Sequence, residues 1–175
     1  VSKDTFNGWR FQFSEELPDV VFEGSKGKVG IDVGLNCLAA TSDGRLYGMN
    51  FKPKFDKLHA KVMLVRANRQ RQDLKDNSKR LQRFEQKLTG LTKTACGTVT
   101  NKLVKSYPDH TFVCEDLDLR GCKGSKRFAY RQLHKSLESK ALVEVVNPAY
   151  TSQECPSCHH VEKSNRNSTS FVCKV

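Results

Sequence analysis

The hydrophobic period of this chain changes twice, and these changes restrict the folds that it can adopt. Residues 29–47 contain short apolar runs separated by a strong turn signal at 42–45, which is typical of antiparallel strands. Residues 55–106 instead carry apolar side chains at steps of three, four and seven with Lys and Arg between them, which indicates two long amphipathic helices. Strand-like apolar segments return at 111–115 and 143–146. We therefore expect an α/β fold in which helices flank a mixed sheet of about five strands, the first three antiparallel.

Local signals predict where the remaining elements begin and end. The two long helices should be divided near Ser78, which is a candidate N-cap together with Asn77, and we expect an interruption of the second helix near Gly90. A shorter amphipathic helix is predicted over 128–139. The alternating aromatic and polar residues 9–13 predict a strand that finishes a preceding domain or leads into this one.

The length of 175 residues suits one compact domain with an appendage. We predict the end of a preceding domain or a linker over 1–27, a main domain over 28–149 with a helical insertion at 53–107, and a small cysteine-bearing segment over 150–175. Because the sequence has no initiator Met and stops just after Cys173, we expect it to be a fragment of a larger protein. It contains no apolar run of about 18 residues, which a membrane span would require, and no secretory signal.

The charge balance favours a polyanionic partner. Lys and Arg number 30 against 19 Asp and Glu, which gives a net charge of +11. A cation placed near a phosphate gains entropy by releasing condensed counterions. The basic side chains of the helical insertion can line a nucleic-acid channel or simply form a solvated helix surface. These residues are Arg66, Arg69, Arg71, Lys79, Arg80, Arg83 and Lys87.

Two carboxylates stand out against apolar surroundings. Asp32 lies inside the first strand and Glu115 closes the fourth, and acidic residues are rarely buried unless they are paired, hydrogen-bonded or bound to a metal. If these strands are neighbours, the two carboxylates meet at one edge of the sheet, where they can bind a pair of Mg²⁺ ions for phosphodiester hydrolysis. Alternatively, Asp32 caps a turn and Glu115 occupies an exposed strand end. Asp43 is expected to be a turn residue, whereas Asp116 and Asp118 should cap the next loop or support the site.

Three of the seven cysteines form a candidate metal site. Cys155 and Cys158 have the Cys-x-x-Cys spacing and Cys173 follows a polar loop, and such thiolates suit tetrahedral Zn²⁺. The fourth ligand would lie beyond the end of the sequence or be one of the adjacent histidines, His159 and His160. A redox Cys-x-x-Cys is the alternative, although no thioredoxin-like βαβ context surrounds it. The other cysteines are expected to be core or incidental residues, namely Cys37, Cys96, Cys114 and Cys122.

The order of these motifs resembles that of a known family. Residues 30–34 (GIDVG) resemble the first RuvC motif, and residues 113–117 (VCEDL) resemble the second. Residues 147–158 (NPAYTSQECPSC) are similar to the segment that leads into the zinc ribbon of transposon-encoded TnpB proteins and of the related type V CRISPR effectors. The basic helical insertion between the first two motifs also matches the layout of that family.

The resemblance implies an RNase H-like (RuvC-type) nuclease domain of a Mg²⁺-dependent, RNA-guided DNA endonuclease. Guide RNA and target DNA would be its partners, and its location would be the cytoplasm of a prokaryote. The family has three catalytic carboxylates, of which the first two correspond to Asp32 and Glu115 and the third would follow the ribbon, beyond Val175. The resemblance also implies a structural Zn²⁺ in the ribbon.

Two other functions are compatible with parts of the sequence. A non-cleaving, RNA-guided DNA-binding module of a transposon- or CRISPR-associated complex would keep the fold and the ribbon but lack a working third carboxylate. A sugar-kinase-like ATPase also carries a Gly-Ile-Asp-x-Gly motif, but no Gly-rich second phosphate motif is present and a zinc-binding cysteine pair is unexpected there. With two of the three carboxylates, the chain alone should bind Mg²⁺ weakly and cut poorly.

Overall fold

The computed structural model describes residues 2–4, 8–10, 14–15, 22, 26–75, 78–116, 125–167 and 170–175. Three helices, one short 3-10 helix and nine strands lie within these ranges. The helices are α1 (Phe51–Arg71), α2 (Lys79–Ser106), α3 (Ser125–Glu138) and the 3-10 turn Lys163–Asn165. The strands are β1 (Ser2–Asp4), β2 (Gly8–Arg10), β3 (Lys28–Asp32), β4 (Ala39–Thr41), β5 (Leu46–Tyr47), β6 (Thr111–Glu115), β7 (Val143–Val146), β8 (Arg166–Asn167) and β9 (Ser170–Phe171).

A five-stranded mixed sheet is the centre of the fold, with the strand order β5-β4-β3-β6-β7. The first three strands in the chain are antiparallel neighbours, whereas β6 and β7 run parallel to β3. The sheet and its flanking helices therefore confirm the predicted α/β fold with a mixed sheet of five strands. Two separate two-stranded sheets, β1-β2 and β8-β9, lie outside it.

One face of the sheet supplies the core. Buried and less buried residues alternate along β3 and β6, as the period of two in a strand requires. Val29, Ile31, Phe112 and Cys114 are the buried members, and they pack in one cluster with residues of α2 and α3. The helical part of that cluster includes Cys96, Val99, Leu103, Ala129, Leu133 and Leu137.

The helical insertion is a pair of helices that pack against each other. Its dividing point lies as predicted, because the Ser78 side chain accepts a hydrogen bond from the Leu81 amide at 3.1 Å and caps α2. The predicted interruption near Gly90 is wrong, since α2 runs unbroken through it. Gly90 is exposed, and a Cβ there would meet nothing within 4 Å. The helix tolerates this glycine because packing on both sides of it outweighs a propensity cost of about 1 kcal/mol.

The β4–β5 hairpin is tied to the end of α2 by a polar contact. Asp43 occupies the turn, as predicted, and its two carboxylate oxygens accept hydrogen bonds from the Tyr107 hydroxyl at 2.8 Å. The Thr41 hydroxyl donates to the same carboxylate. This hydrogen bond is the largest cause that lowers the pKa of Asp43, and the hydrogen bond from Tyr107 is the next. Gly48 follows the hairpin with φ of +75°, and a Cβ there would lie 2.9 Å from Leu38, so no larger residue fits.

Several predictions fall partly outside the described residues. Asn77, Asp118 and Cys122 lie there, as do residues 11–13. Within 9–13, Trp9 and Arg10 belong to β2, which pairs with β1. None of the described helices is long and apolar enough to cross a membrane.

The C-terminal ribbon, residues 150–175, is organised around one buried amide. The Asn165 side chain is 1% exposed and donates to the carbonyl oxygens of Gln153 and His160 at 2.9 and 3.2 Å. Its Oδ1 accepts from the Lys174 amide at 3.1 Å, and its main-chain oxygen accepts from Val172 at 2.8 Å. One residue therefore joins both ends of the ribbon, and sequence reasoning missed it because an asparagine in a polar loop is usually a surface residue.

The N-cap of α2 leads to a first prediction. Ser78→Ala removes the acceptor of the Leu81 amide and should lower the free energy of unfolding by about 0.5–2 kcal/mol, measured by urea denaturation. Ser106→Ala, at the other end of the same helix, is the matched control and should stay within about 0.5 kcal/mol of wild type. Equal effects of the two substitutions would contradict the capping role.

The buried side chain of Asn165 leads to a second prediction. Asn165→Ala removes one of the two hydrogen bonds to each of the Gln153 and His160 oxygens, and it removes the acceptor of the Lys174 amide. The loss of these three bonds should lower the local opening free energy of the ribbon by about 1–3 kcal/mol. Hydrogen exchange at the Cys155, Val172 and Lys174 amides measures it. The control is Asn167→Ala in β8, an exposed residue two positions away. If both variants exchange at the wild-type rate, Asn165 does not organise the ribbon.

Candidate active site

The carboxyl ends of three parallel strands meet at one edge of the sheet. Ile31 pairs with Cys114, so the residues that follow them, Asp32 and Glu115, end β3 and β6 at the same level. Glu115 in turn pairs with Val146, the last residue of β7. Two carboxylates far apart in the sequence thus arrive at adjacent strand ends.

The position of Asp32 differs from the predicted one, inside an apolar strand. Asp32 is exposed and is the last residue of β3 rather than an interior one, because the chain leaves the sheet after it. Glu115 is half-buried at its strand end. Both alternate with the buried residues before them, so they point away from the apolar core.

Asp32 and Glu115 line one open cleft of about 780 Å³. The loop after β3 forms one wall, with Gly34 and Asn36, and the segment after β7 forms another. Two cations, Lys52 at the start of α1 and Arg166 at the start of β8, complete the lining. A cleft that combines carboxylates with cations suits a phosphate-bearing ligand together with a divalent cation.

The Glu115 residue is held from two directions. Its carboxylate Oε1 accepts a hydrogen bond of 2.6 Å from the Thr151 hydroxyl. Its main-chain oxygen accepts a hydrogen bond from the hydroxyl of Tyr130, a buried residue of α3. Both the segment after β7 and the helix α3 therefore position this strand end.

Sequence reasoning missed Lys52, Thr151 and Arg166 as members of the cleft. Lys52 forms an i,i+4 ion pair with Asp56 on α1, which resembles an ordinary surface pair. Arg166 lies in a polar stretch with no hydrophobic period. Thr151 lies in the motif at residues 147–158, but that motif does not indicate that the Thr151 side chain reaches Glu115.

The donor set of the cleft fits a hard divalent cation. Mg²⁺ takes oxygen ligands and is bound by one or two carboxylates together with waters and substrate phosphates. Asp32 and Glu115 supply two carboxylates in a cleft that is open to solvent. Asp116, the next residue, is exposed and donates its amide to the Val146 oxygen at 2.8 Å.

The second cluster lies in the ribbon. Cys155, Cys158 and Cys173 each offer a sulfur atom, and the three atoms lie within 4.8 Å of one another. The Sγ atoms of Cys158 and Cys173 are 3.5 Å apart. In a tetrahedral zinc site with Zn–S bonds of about 2.3 Å, two sulfurs are about 3.8 Å apart, so this spacing fits the metal.

The described thiols of the cluster and of the core differ in what shifts their pKa. A main-chain hydrogen bond from Val175 lowers the pKa of Cys173, but its hydrogen bond with Cys158 and its burial outweigh this, so the pKa is raised. Hydrogen bonds from the main-chain amides of Cys158 and then Ser157 lower the pKa of Cys155 to about 7. Burial instead raises the pKa of Cys96 to about 12 and that of Cys114 to about 11. Cys155 is therefore suited to bind a metal as thiolate, whereas Cys96 and Cys114 are protonated core residues.

The adjacent histidines are engaged elsewhere. His159 Nδ1 lies 2.7 Å from a Glu154 oxygen, and His160 Nε2 lies 3.2 Å from a Glu162 oxygen. Among the residues that the structure describes, the cysteine cluster has three members and includes neither histidine.

The basic residues of the helical insertion lie along α1 and α2 at exposed or half-buried positions. Arg66 pairs with Glu85 across the two helices at 2.5 Å, and Arg69 donates to the Lys75 main-chain oxygen at 2.8 Å. The Arg80 guanidinium lies 5.9 Å from the centre of the Phe84 ring. The exposed members of the set are Arg66, Arg71, Lys79, Arg80, Arg83 and Lys87.

The chain is similar to TnpB-like proteins and to CRISPR-associated and RNA-guided endonucleases. The TnpB-like protein MJ0012 of Methanocaldococcus jannaschii is 38% identical over 74 residues, which cover 38% of this chain and 36% of that protein. The CRISPR-associated endodeoxyribonuclease Cas12f1 of Syntrophomonas palmitatica is 34% identical over 88 residues, 47% of this chain and 16% of that protein. The putative RNA-guided DNA endonuclease InsQ of Escherichia coli is 36% identical over 94 residues, 51% of this chain and 21% of that protein.

Each match covers only part of this chain and only part of the relative. The chain corresponds to 36% or less of the length of each of these three relatives. The protein-family match is to the Cas12f1-like TNB domain and covers residues 127–175, from α3 to the end of the ribbon. Residues 127–175 thus match the Cas12f1-like TNB domain, and parts of the chain are similar to TnpB-like and Cas12f1 proteins.

Proposed function

We propose that this chain is the nuclease part of an RNA-guided DNA endonuclease, and that it hydrolyses phosphodiester bonds at a RuvC-type site. The observation that carries the proposal is the meeting of Asp32 and Glu115 in one cleft with the cations Lys52 and Arg166. The relatives support it, because two of them are named as a DNA endonuclease of a CRISPR system and a putative RNA-guided DNA endonuclease.

Each group in the cleft has a distinct task in this proposal. Asp32 and Glu115 are the oxygen ligands of Mg²⁺, and their place at adjacent strand ends sets the spacing of the ligands. When bound, a pair of Mg²⁺ ions supplies an activated water and neutralises charge on the departing oxygen. Lys52 and Arg166 place positive charge where the DNA phosphate would lie, which favours entry of the backbone.

Guide RNA and target DNA are the partners in this proposal. The helical insertion adds exposed cations along α1 and α2, which suit contact with the sugar-phosphate backbone. Such contacts carry no sequence information, so base pairing with the guide would select the target. The residues proposed for backbone contact are Arg66, Arg69, Arg71, Lys79, Arg80, Arg83 and Lys87.

The domain boundaries follow from the same assignment. Residues 28–149 form the nuclease domain with its insertion at 53–107, and residues 150–175 form a zinc ribbon held by Cys155, Cys158 and Cys173. Residues 1–27 are the end of a preceding domain or a linker. A further ligand of the zinc and a third carboxylate would come from residues other than those described.

A non-cleaving, RNA-guided DNA-binding module is the second candidate. The observation that favours it is the acidic content of the cleft, whose described lining contains two carboxylates, Asp32 and Glu115. Two carboxylates hold a cation less firmly than three, so this domain would then serve as a scaffold for DNA binding. Cleavage by the full-length protein separates the two candidates.

The site assignment predicts separate effects on cleavage and on binding. Glu115→Gln and Asp32→Asn, made in the full-length protein with its co-purified RNA, should each remove a charged Mg²⁺ ligand. Each should therefore reduce Mg²⁺-dependent DNA cleavage by more than the roughly 10- to 100-fold that loss of an outer hydrogen-bond partner of a ligand costs. Guided DNA binding, measured by electrophoretic mobility shift, should change little because neither residue lies on the basic helices.

Asp109→Asn is the matched control for that experiment. Asp109 precedes β6 at the opposite edge of the sheet, and its exposed ion pair with Lys26 contributes little to stability. Cleavage at the wild-type rate by Glu115→Gln would exclude the proposed metal site. Guided binding without cleavage by the wild-type protein would favour the scaffold function.

The cysteine cluster makes a prediction of its own. Cys155→Ser should lower the zinc content of the purified protein from about one ion per chain towards zero, because structural zinc needs a complete ligand set. Amide exchange in the ribbon should become faster at the same time. Ser157→Ala, which changes only the spacer of the motif, should keep its zinc. A full zinc complement in Cys155→Ser would contradict the assignment.

A further inference from the structure

The hydroxyl of Thr151 makes a direct contact with one of the two carboxylates of the cleft. Its Oγ1 donates to Glu115 Oε1 at 2.6 Å, within the range of charge-assisted hydrogen bonds between a hydroxyl and a carboxylate. The two residues are 36 positions apart in the sequence. The contact therefore connects the end of β6 to the segment that enters the ribbon.

The backbone around Thr151 is fixed by its own hydrogen bonds. The Asn147 side chain accepts from the Ala149 amide at 2.9 Å, and the Tyr150 oxygen accepts from the amides of Gln153 and Glu154 at 2.8 and 2.9 Å. Tyr150 has φ of +65°, a left-handed conformation that closes the turn. Thr151 Oγ1 also lies 3.1 Å from the Pro148 oxygen. The hydroxyl is thus presented to Glu115 by a structured turn.

This turn is continuous with the ribbon. Glu154 forms a β-bridge with Val161, and the Gln153 oxygen accepts hydrogen bonds from the Glu162 amide and from the Asn165 side chain. Cys155, the first thiol of the cluster, follows directly and donates its amide to the His160 oxygen at 2.9 Å. A change in ribbon structure would therefore reach Thr151 through a short run of main-chain bonds.

We infer that Thr151 is a positioning residue, which orients the Glu115 carboxylate for the metal and couples the ribbon to the cleft. The inference rests on the proposed function, because it takes Glu115 as a metal ligand. A carboxylate has about four lone-pair sites on two oxygens, so one hydrogen bond restricts its rotation and leaves acceptor capacity for a cation. Thr151 touches Glu115 and acts only through it.

Two substitutions at Thr151 distinguish the effect of its hydroxyl from the effect of its shape. Thr151→Val matches threonine in shape but has no donor, and Thr151→Ser keeps the donor. The matched control is Thr98→Val, which removes an exposed threonine hydroxyl that bonds to the Thr94 oxygen at 2.8 Å on α2. All three are made in the full-length protein with its RNA, and Glu115→Gln is included for reference.

The first readout is the affinity for Mn²⁺, measured by electron paramagnetic resonance without DNA. Thr151→Val should weaken Mn²⁺ binding by about 10- to 100-fold, as loss of an outer hydrogen-bond partner of a metal ligand does. Cleavage by this variant should need a correspondingly higher Mg²⁺ concentration. Thr151→Ser and Thr98→Val should remain within about threefold of wild type in both measurements.

The second readout does not involve metal or activity. In metal-free buffer, Thr151→Val should speed hydrogen exchange at the Gln153 and Glu154 amides in the wild-type background. It should have a much smaller effect in the Glu115→Ala background, which removes the acceptor of the Thr151 hydroxyl, because coupled residues are non-additive. Additive effects of the two substitutions would mean that the hydroxyl does not act on Glu115.

The outcomes distinguish this inference from the proposed function. If wild type cleaves DNA but Thr151→Val binds Mn²⁺ and exchanges amides as wild type does, the positioning role is wrong and the nuclease assignment stands. If wild type does not cleave, yet Thr151→Val and Glu115→Gln both weaken Mn²⁺ binding, the positioning role stands without the nuclease activity. If Glu115→Gln leaves Mn²⁺ binding unchanged, both are overturned.

Discussion

The parallel pairing of β3 with β6 is the constraint on which the site depends. Parallel strands cannot be joined by a tight turn, and the hairpin β4–β5 together with the α1–α2 pair provides the long connection between them. The register that pairs Ile31 with Cys114 sends both of these side chains into the core and both following carboxylates out of it. A slip of one residue would reverse this and bury a carboxylate among apolar groups, at a large cost in desolvation.

The place of the carboxylates at strand ends removes most of that cost. Asp32 is exposed and Glu115 half-buried, so neither has to be paired with a cation in order to fold. The core instead rests on apolar side chains and on thiols that burial keeps protonated, such as Cys96 and Cys114. Stability and chemistry therefore occupy different parts of the same strands: the strand interiors pack against α2 and α3, and the strand ends face the cleft.

Features with a period or a local signal were predictable, and features made by distant polar contacts were not. The helices follow from apolar steps of three and four, and Ser78 caps α2 through a bond that spans three residues. The break expected at Gly90 is absent because tertiary packing outweighs local propensity. Thr151, Asn165 and Arg166 belong to polar segments without a hydrophobic period. Thr151 bonds to Glu115, 36 positions away, and the Asn165 side chain bonds to residues 5, 9 and 12 positions away, so no local rule could identify them.

Two features of the ribbon suit its cysteine cluster to bind a metal. The hydrogen bonds of Asn165 join the two ends of the ribbon, and Cys155, Cys158 and Cys173 lie close together there. The lowered pKa of Cys155 favours its thiolate, which is the form that binds a metal. Since the turn that follows β7 enters this ribbon directly, the order that Asn165 creates extends to the edge of the sheet where Glu115 lies.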